Sequence, residues 1–509
     1  MGQLEGGSRD FEDLEAAYRE RQRAARRLAL DLRELPSHLD PHNLRHCRWA
    51  VLAPPGEGDR VRSAMWPLID RRSMEVRQEV EVIETYPRES GRAFLERHDE
   101  TEGTIEPQNL PYYLLLVGDP DQISFEFQYR LGLGRAVGRI GWSQPIDRAS
   151  QGTGREREFD RGGLRGYAEA VCAAEEKGVE RPREVALFSV ENDDVLKRIK
   201  KYLIDPVAVT LKRDFADWPL AQYREEEARH DALAALLGGG TTPGLLLVSS
   251  HGRRQDPGSA NQEFVHGSPV AYPRQDGDGL FTADDLARPR DLHGLIAFFF
   301  HCNGAGVPAL EDFPHTAEGL PEEAARRTRP RNYARKPFLQ PIPQSLLRRG
   351  ALAIVAHVER AWTLSSEWPA ETHTIGTSAT VEDSLRMLLS GHRLGHAMRP
   401  LARRYLQLSA RLGQILDYDR QGIETNLREL GFMWTAVNDA RNLIMLGDPA
   451  VYLLGQRQAP EQPRIDPELV HEIRRRAPSE SLNSFVQRAV RRELERLRED
   501  AEHRAALGF

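Results

Sequence analysis

Leu245-Leu246-Leu247-Val248-Ser249-Ser250-His251-Gly252 and Ile296-Ala297-Phe298-Phe299-Phe300-His301-Cys302-Asn303-Gly304 are two apolar runs, each ending in a reactive side chain with a glycine close behind. Both runs are too short for a helix and almost wholly apolar, which is how strands read when a parallel sheet is covered on both faces. Further runs of this kind occupy residues 49–52, 80–83, 112–117, 184–190, 207–211, 351–357 and 442–446, and stretches with helical spacing separate them. This alternation predicts an α/β fold: two tandem α/β units with mainly parallel sheets flanked by helices. Apolar residues at helical spacing in 11–35, and shorter patterns in 467–476 and 482–497, add helical N- and C-terminal extensions. The expected divisions are 1–45, 46–165, 166–456 and 457–509. Gly118-Asp119-Pro120 and Gly447-Asp448-Pro449 close two of the predicted strands with the same turn.

Length and composition narrow the class. At 509 residues the chain exceeds what one core usually serves. Its 70 basic and 77 acidic residues leave a net charge of −7, with 29% charged and 40% hydrophobic positions. That balance suits a globular protein and argues against a nucleic-acid partner or a disordered chain. Cys47, Cys172 and Cys302 are too few for a disulfide framework and lack metal-binding spacing, so a reducing cytoplasm is expected. No apolar run reaches the roughly 18 residues of a membrane span, and residues 1–10 lack an apolar leader core. The glycines of 132–138 do not have nucleotide-loop spacing, and His301 beside Cys302 on a strand points to the opposite face; no cofactor and no metal are expected.

In an α/β sheet, ligands gather at the carboxyl ends of the strands, where His251 and Cys302 both fall. A thiol with its ordinary pKa of about 8.5 is mostly protonated at neutral pH, so a nucleophilic cysteine needs an imidazole nearby. Gly252 admits close backbone approach and offers its N–H to a developing oxyanion. Taken singly, such a histidine reads as a turn residue and such a cysteine as core; the pair carries the reading.

The 51-residue step from His251 to Cys302 matches the caspase pattern. Over roughly residues 47 to 454 the chain resembles the caspase-like clan of cysteine peptidases, and within it the gingipain-type catalytic region. The resemblance rests on Tyr112-Tyr113-Leu114-Leu115-Leu116-Val117-Gly118-Asp119, Val137-Gly138-Arg139-Ile140, Ser250-His251-Gly252, Cys302-Asn303-Gly304, Gly350-Ala351-Leu352-Ala353-Ile354-Val355-Ala356 and Leu446-Gly447-Asp448-Pro449, in the family's order.

That resemblance implies a cysteine endopeptidase with Cys302 as nucleophile and His251 as the group that protonates the departing amine, the N–H groups of Gly252 and Cys302 forming the oxyanion site. Glu191 aligns with an acid that orients the histidine. Asp194, or Asp193 because the spacing is shorter than the family's, aligns with the acid of the primary specificity pocket, and Trp362 with that pocket's aromatic wall; such a pocket implies cleavage after Arg or Lys. Asp193 and Asp194 equally suit the cap of a helix starting near Val195, and Trp362 suits plain core packing. No equivalent of the caspase arginines that read aspartate is found, which leaves aspartate specificity as the less favoured alternative. The long segments 253–279 and 303–343 read as loops, and Arg326, Arg327, Arg329 and Arg331 in the second are activation-cleavage candidates of a zymogen. Expected partners are protein substrates and an upstream activating protease or inhibitor. The resemblance extends to prokaryotic caspase-like immune effectors, with antiphage or cell-death signalling as the implied setting. The rival reading is a catalytically silent caspase-like scaffold.

Overall fold

Five-residue apolar runs build the centre of the computed structural model. Ten strands form one sheet: β1 (Trp49–Ala53), β2 (Val82–Glu84), β3 (Tyr113–Val117), β4 (Ala136–Ile140), β5 (Val185–Ser189), β6 (Leu220–Arg224), β7 (Leu245–Ser249), β8 (Ile296–Phe300), β9 (Ala353–His357) and β10 (Leu443–Gly447), in the order β2-β1-β3-β4-β10-β9-β8-β7-β5-β6. Every neighbouring pair is parallel except β9 with β10. The strands from β2 to β10 therefore run one way and those from β9 to β6 the other. The described residues are Pro36, 39–455 and Arg492, apart from 102–104, 146–157, 239–240, 274–277, 287–291, 312–331, 370–372 and 423–425. The predicted helices in 11–35, 467–476 and 482–497, and Arg326, Arg327, Arg329 and Arg331, lie outside them. The chain divides into units Met1–Gln458 and Ala459–Phe509, and all that follows concerns the first. Among the described residues no helix is long and apolar enough to cross a membrane.

In β1 and β3 the period-two pleat sorts side chains between the sheet's faces. Trp49, Val51, Ala53, Tyr113, Leu115 and Val117 pack with helices α1 (Gly58–Val76) and α4 (Arg161–Lys177). Ala50, Leu52, Leu114 and Leu116 pack instead with α2 (Gly91–Arg97) and α3 (Phe125–Gly132).

Two assignments from the sequence need correction. The run 207–211 is not a strand but part of helix α6 (Asp205–Asp214), with a proline in its first turn. Val207, Ala208, Thr210 and Leu211 are buried while Val209 is 62% exposed, a helical rather than alternating pattern. The strand that follows β5 is β6, half-buried along its length at the sheet edge and so without an apolar signature. The segment 253–279 is also more ordered than a loop: His251–Gly252 pairs antiparallel with Pro269–Val270, and Gln262–Val265 is a helical turn.

β4 is the other strand that an apolar run does not announce, because it carries Gly138 and Arg139. A Cβ at Gly138 would collide with the carbonyl oxygen of Gly447, so only glycine lets β4 approach β10. Arg139 is fully buried yet satisfied, donating to Gln128 Oε1 at 2.8 Å, Gly118 O at 2.9 Å and Ser124 O at 2.9 Å.

Beside the junction of the two halves, the Gly447-Asp448-Pro449 turn holds a buried ion cluster. Arg72 of α1 reaches Asp448 Oδ2 at 2.7 Å and Glu175 of α4 at 2.6 Å, and the side chains of Arg72 and Asp448 have no solvent exposure. Trp49 Nε1 donates to Asp448 Oδ1 at 2.8 Å, and Tyr167 of α4 donates to Leu352 O at 2.8 Å just before β9. Two helices and three strands thus share one cluster.

Candidate active site

Strand pairing fixes how the two reactive ends meet. Ser249 of β7 is the register partner of Phe300 of β8. His251 and Cys302 each lie two residues beyond that pair, on parallel neighbours whose axes are about 4.8 Å apart. They therefore emerge side by side from the carboxyl end of the sheet. A Cβ at Gly252 would collide with the carbonyl oxygen of Cys302, so the two strand ends touch through their backbones.

His251 has a carboxylate partner, and it is Asp193. Nε2 of His251 lies 2.5 Å from Asp193 Oδ2, with both side chains a little under half exposed. Asp193 also caps helix α5 (Asp194–Ile199), Oδ1 accepting from the amide of Leu196 at 2.9 Å. Partial burial pushes the Asp193 carboxyl up, but the helix amides and His251 outweigh it and hold the group below its ordinary value. It stays ionised, so His251 Nε2 is the donating nitrogen and Nδ1 is left to accept. Helix capping and the contact with His251, which the sequence alone cannot connect, are one and the same residue's work.

Glu191, the sequence candidate for orienting the histidine, does not bond to it. Its backbone N–H donates to Tyr272 at 3.3 Å, and Lys200 Nζ lies 3.8 Å from Oε2. Oε1 is buried without a hydrogen-bond partner, and burial raises the carboxyl's pKa. Asp194 is exposed in the first turn of α5.

Cys302 is half-buried, and its Sγ lies 3.8 Å from the carbonyl of Ala361. Burial raises its thiol pKa, with the Arg360 guanidinium among the influences that oppose the rise. The other two thiols are pushed by burial to about 12 (Cys47) and about 11 (Cys172). Asn303 follows in the left-handed region at φ 60°, and its amide donates to Glu359 O at 2.5 Å, which turns the chain sharply after the cysteine. His301 is buried with its ring stacked on Phe299 and Nδ1 3.2 Å from Cys302 O.

No protein-family model matches the chain. No curated protein matches it. Among solved structures it is similar to one described as "Structure of Protease", at 12% identity and a TM-score of 0.45, over 82% of this chain and 80% of that one. It is also similar to the Saccharomyces cerevisiae separase–securin complex in two structures, at 9% and 10% identity and a TM-score of 0.31, over 66% of this chain and 15–16% of those. Likenesses this distant leave the chemistry to be argued from the residues themselves.

Below the turn lies a buried network with no counterpart in the sequence reading. Asn303 Oδ1 accepts from Tyr333 Oη at 2.9 Å and lies 3.2 Å from His266 Nε2, while Asn303 Nδ2 donates to Gly306 O at 3.3 Å. The amide of Gln255 donates to His266 Nδ1 at 3.3 Å, which places the ring proton on Nε2. Asn303 is thus held from three directions and the Cys302 turn rests on it. His266 sits in a glycine-rich segment where no periodicity singles it out.

Trp362 is half-buried, and its amide donates to Asp439 Oδ1 at 2.8 Å. It stands on the loop whose Ala361 carbonyl faces the thiol. A cavity bounded by Arg135, Arg399, Tyr405 and Arg441 lies under the C-terminal helices; none of Cys302, His251 and Asp193 lines it.

Proposed function

We propose that this chain is a cysteine endopeptidase of caspase-like design that cuts proteins after Arg or Lys. The observation that carries the reading is the in-register emergence of His251 and Cys302 from adjacent parallel strands, with His251 bonded to an ionised carboxylate. In this mechanism His251 Nδ1 takes the thiol proton, and the Cys302 sulfur attacks the scissile carbonyl carbon. The N–H groups of Gly252 and Cys302 take up the negative charge on oxygen. The C–N bond breaks as the imidazolium returns the proton to the departing amine, and water then hydrolyses the thioester. Asp193 orients the ring and balances its charge, the role the resemblance offered to Glu191.

Basic specificity is supported by the acids that follow β5. With Asp193 engaged by His251 and the α5 amides, Asp194 is the carboxylate left for a substrate cation, and Trp362 supplies an aromatic wall. A carboxylate lining a substrate pocket favours a cationic side chain over an anionic one, because an unpaired charge buried by the substrate is costly. The remaining elements of the proposal are a cytoplasmic zymogen cut within 303–343 by itself or an upstream protease, and a role in antiphage or cell-death signalling. Tyr333, which holds Asn303, lies within that segment and supports a link between the segment and the site.

The test is hydrolysis of fluorogenic peptides ending in Arg, Lys or Asp by the parent and by Cys302→Ala. Arg and Lys peptides are expected to be cut, with loss of at least about a thousandfold in the variant. Equal rates in parent and variant overturn the mechanism, and cleavage of Asp peptides alone overturns the specificity.

A further inference from the structure

Asp439 belongs to helix α9 (Leu427–Asn442), remote in sequence from every residue of the candidate site. Its carboxylate has no solvent exposure. Both oxygens point into the loop that follows β9: Oδ1 accepts from the Trp362 amide at 2.8 Å, and Oδ2 accepts from Ser365 Oγ at 2.5 Å. The same loop carries Ala361, whose carbonyl oxygen lies 3.8 Å from Cys302 Sγ.

The surroundings agree with a holding role. Helix α8 (Arg399–Arg420) contributes Arg404, which donates to the carbonyl of Leu364. On the far side Arg198 of α5, the helix capped by Asp193, forms a two-point contact with the buried Glu367, at 2.7 Å and 3.1 Å. His357 Nε2 approaches Asp439 only to 3.8 Å, beyond hydrogen-bond range. Asp439 thus spends its acceptors on one loop, and that loop is where Cys302 and the candidate pocket wall meet. A fully buried carboxylate is costly unless its oxygens are hydrogen-bonded, and here both bonds go to the loop.

We propose that Asp439 is the positioning residue for the substrate cleft, fixing the Trp362 wall and the Ala361 carbonyl against Cys302 from the opposite side of the loop. The inference rests on the peptidase reading for its substrate consequences. Its geometric content is separate, because the reactivity of the Cys302 thiol toward a small reagent reports on the loop without any peptide.

The experiment compares the full chain with Asp439→Ala, Asp439→Asn and Ser365→Ala. Asparagine keeps an acceptor for the Trp362 amide and can donate to Ser365 Oγ, whereas alanine removes both of these bonds. Two quantities are read: the rate of Cys302 alkylation by iodoacetamide, located by peptide mass spectrometry, and kcat and KM on an Arg peptide. Asp439→Ala is expected to change the alkylation rate and raise KM by about tenfold or more, with a smaller fall in kcat. Ser365→Ala is expected to show part of both changes, and Asp439→Asn to restore both to within about threefold of the parent. Parent-like alkylation and KM in Ser365→Ala and in a folded Asp439→Ala overturn the proposal. If Asp439→Ala does not fold, parent-like values in Ser365→Ala alone do so. A chain that cuts no peptide but shows the alkylation pattern retires the peptidase reading and leaves the positioning role standing.

Discussion

Acidification from pH 7 to pH 5 is expected to destabilise this protein by about 6 kcal/mol. Four buried histidines stay neutral far below their ordinary 6.5: His266 and His301 are held to about 4, and His357 and His396 to about 3, burial being the largest cause in each case. The unfolded chain takes up protons on these rings near pH 6.5, while the folded chain waits for pH 4 or lower. Between those limits the unfolded state holds more protons, so stability falls as pH falls. Asp439 acts the other way, since burial raises its carboxyl to about 6 and the folded chain is the first to protonate it. The net difference grows to about three protons near pH 5, where the loss reaches about 4 kcal/mol per pH unit. One unit of acidification removes a large part of the 5–15 kcal/mol typical of a folded domain. Urea midpoints between pH 7 and pH 5 measure this, and a flat profile would show that these rings are not buried as described. His266 supports Asn303, His301 adjoins Cys302, and His357 ends β9, so the candidate site is at the centre of the acid-labile region.

Arg72→Met is expected to destabilise the first unit by about 3–5 kcal/mol, because it strips the cation from the fully buried Asp448 and leaves its desolvation uncompensated, while Glu175 keeps Arg71 at 2.5 Å. Asp448 has no exposure and the Glu175 side chain 4%. A control at the exposed pair Arg92–Glu96, whose side chains are 72% and 55% exposed, should change stability by no more than about 0.5 kcal/mol. Denaturant unfolding at pH 7.5 distinguishes the two. Equal small effects would mean that Asp448 is held by the Trp49 indole and its neighbours without need of the arginine.

What the sequence could and could not disclose follows from which forces leave a pattern. Strands β3, β7, β8 and β9 are buried on both faces and read directly as apolar runs. The Asp448 turn was visible as a repeated tripeptide, but not the ion cluster behind it, because Arg72 and Glu175 look like ordinary helix-surface residues until α1 and α4 pack. β6 at the sheet edge and β4 with its buried arginine leave no hydrophobic signature, while the proline-led helix α6 imitates one. At the site, strand-end placement made His251 and Cys302 legible. The partner of His251 was open to error, since Glu191, Asp193 and Asp194 are separated by so little chain that only the start of α5 decides which of them faces the ring. Asp439, His266 and Tyr333 act through contacts far apart in sequence, and no local pattern marks them.

Covalent capture tests the central claim most directly. The full chain is incubated with a peptidyl electrophile bearing arginine at the scissile position, and the adduct is located by peptide mass spectrometry. The expected product is a thioether on Cys302, formed at least about a hundredfold more slowly in His251→Ala. An adduct on Cys47 or Cys172 instead, or labelling of Cys302 at a rate indifferent to His251, would contradict it.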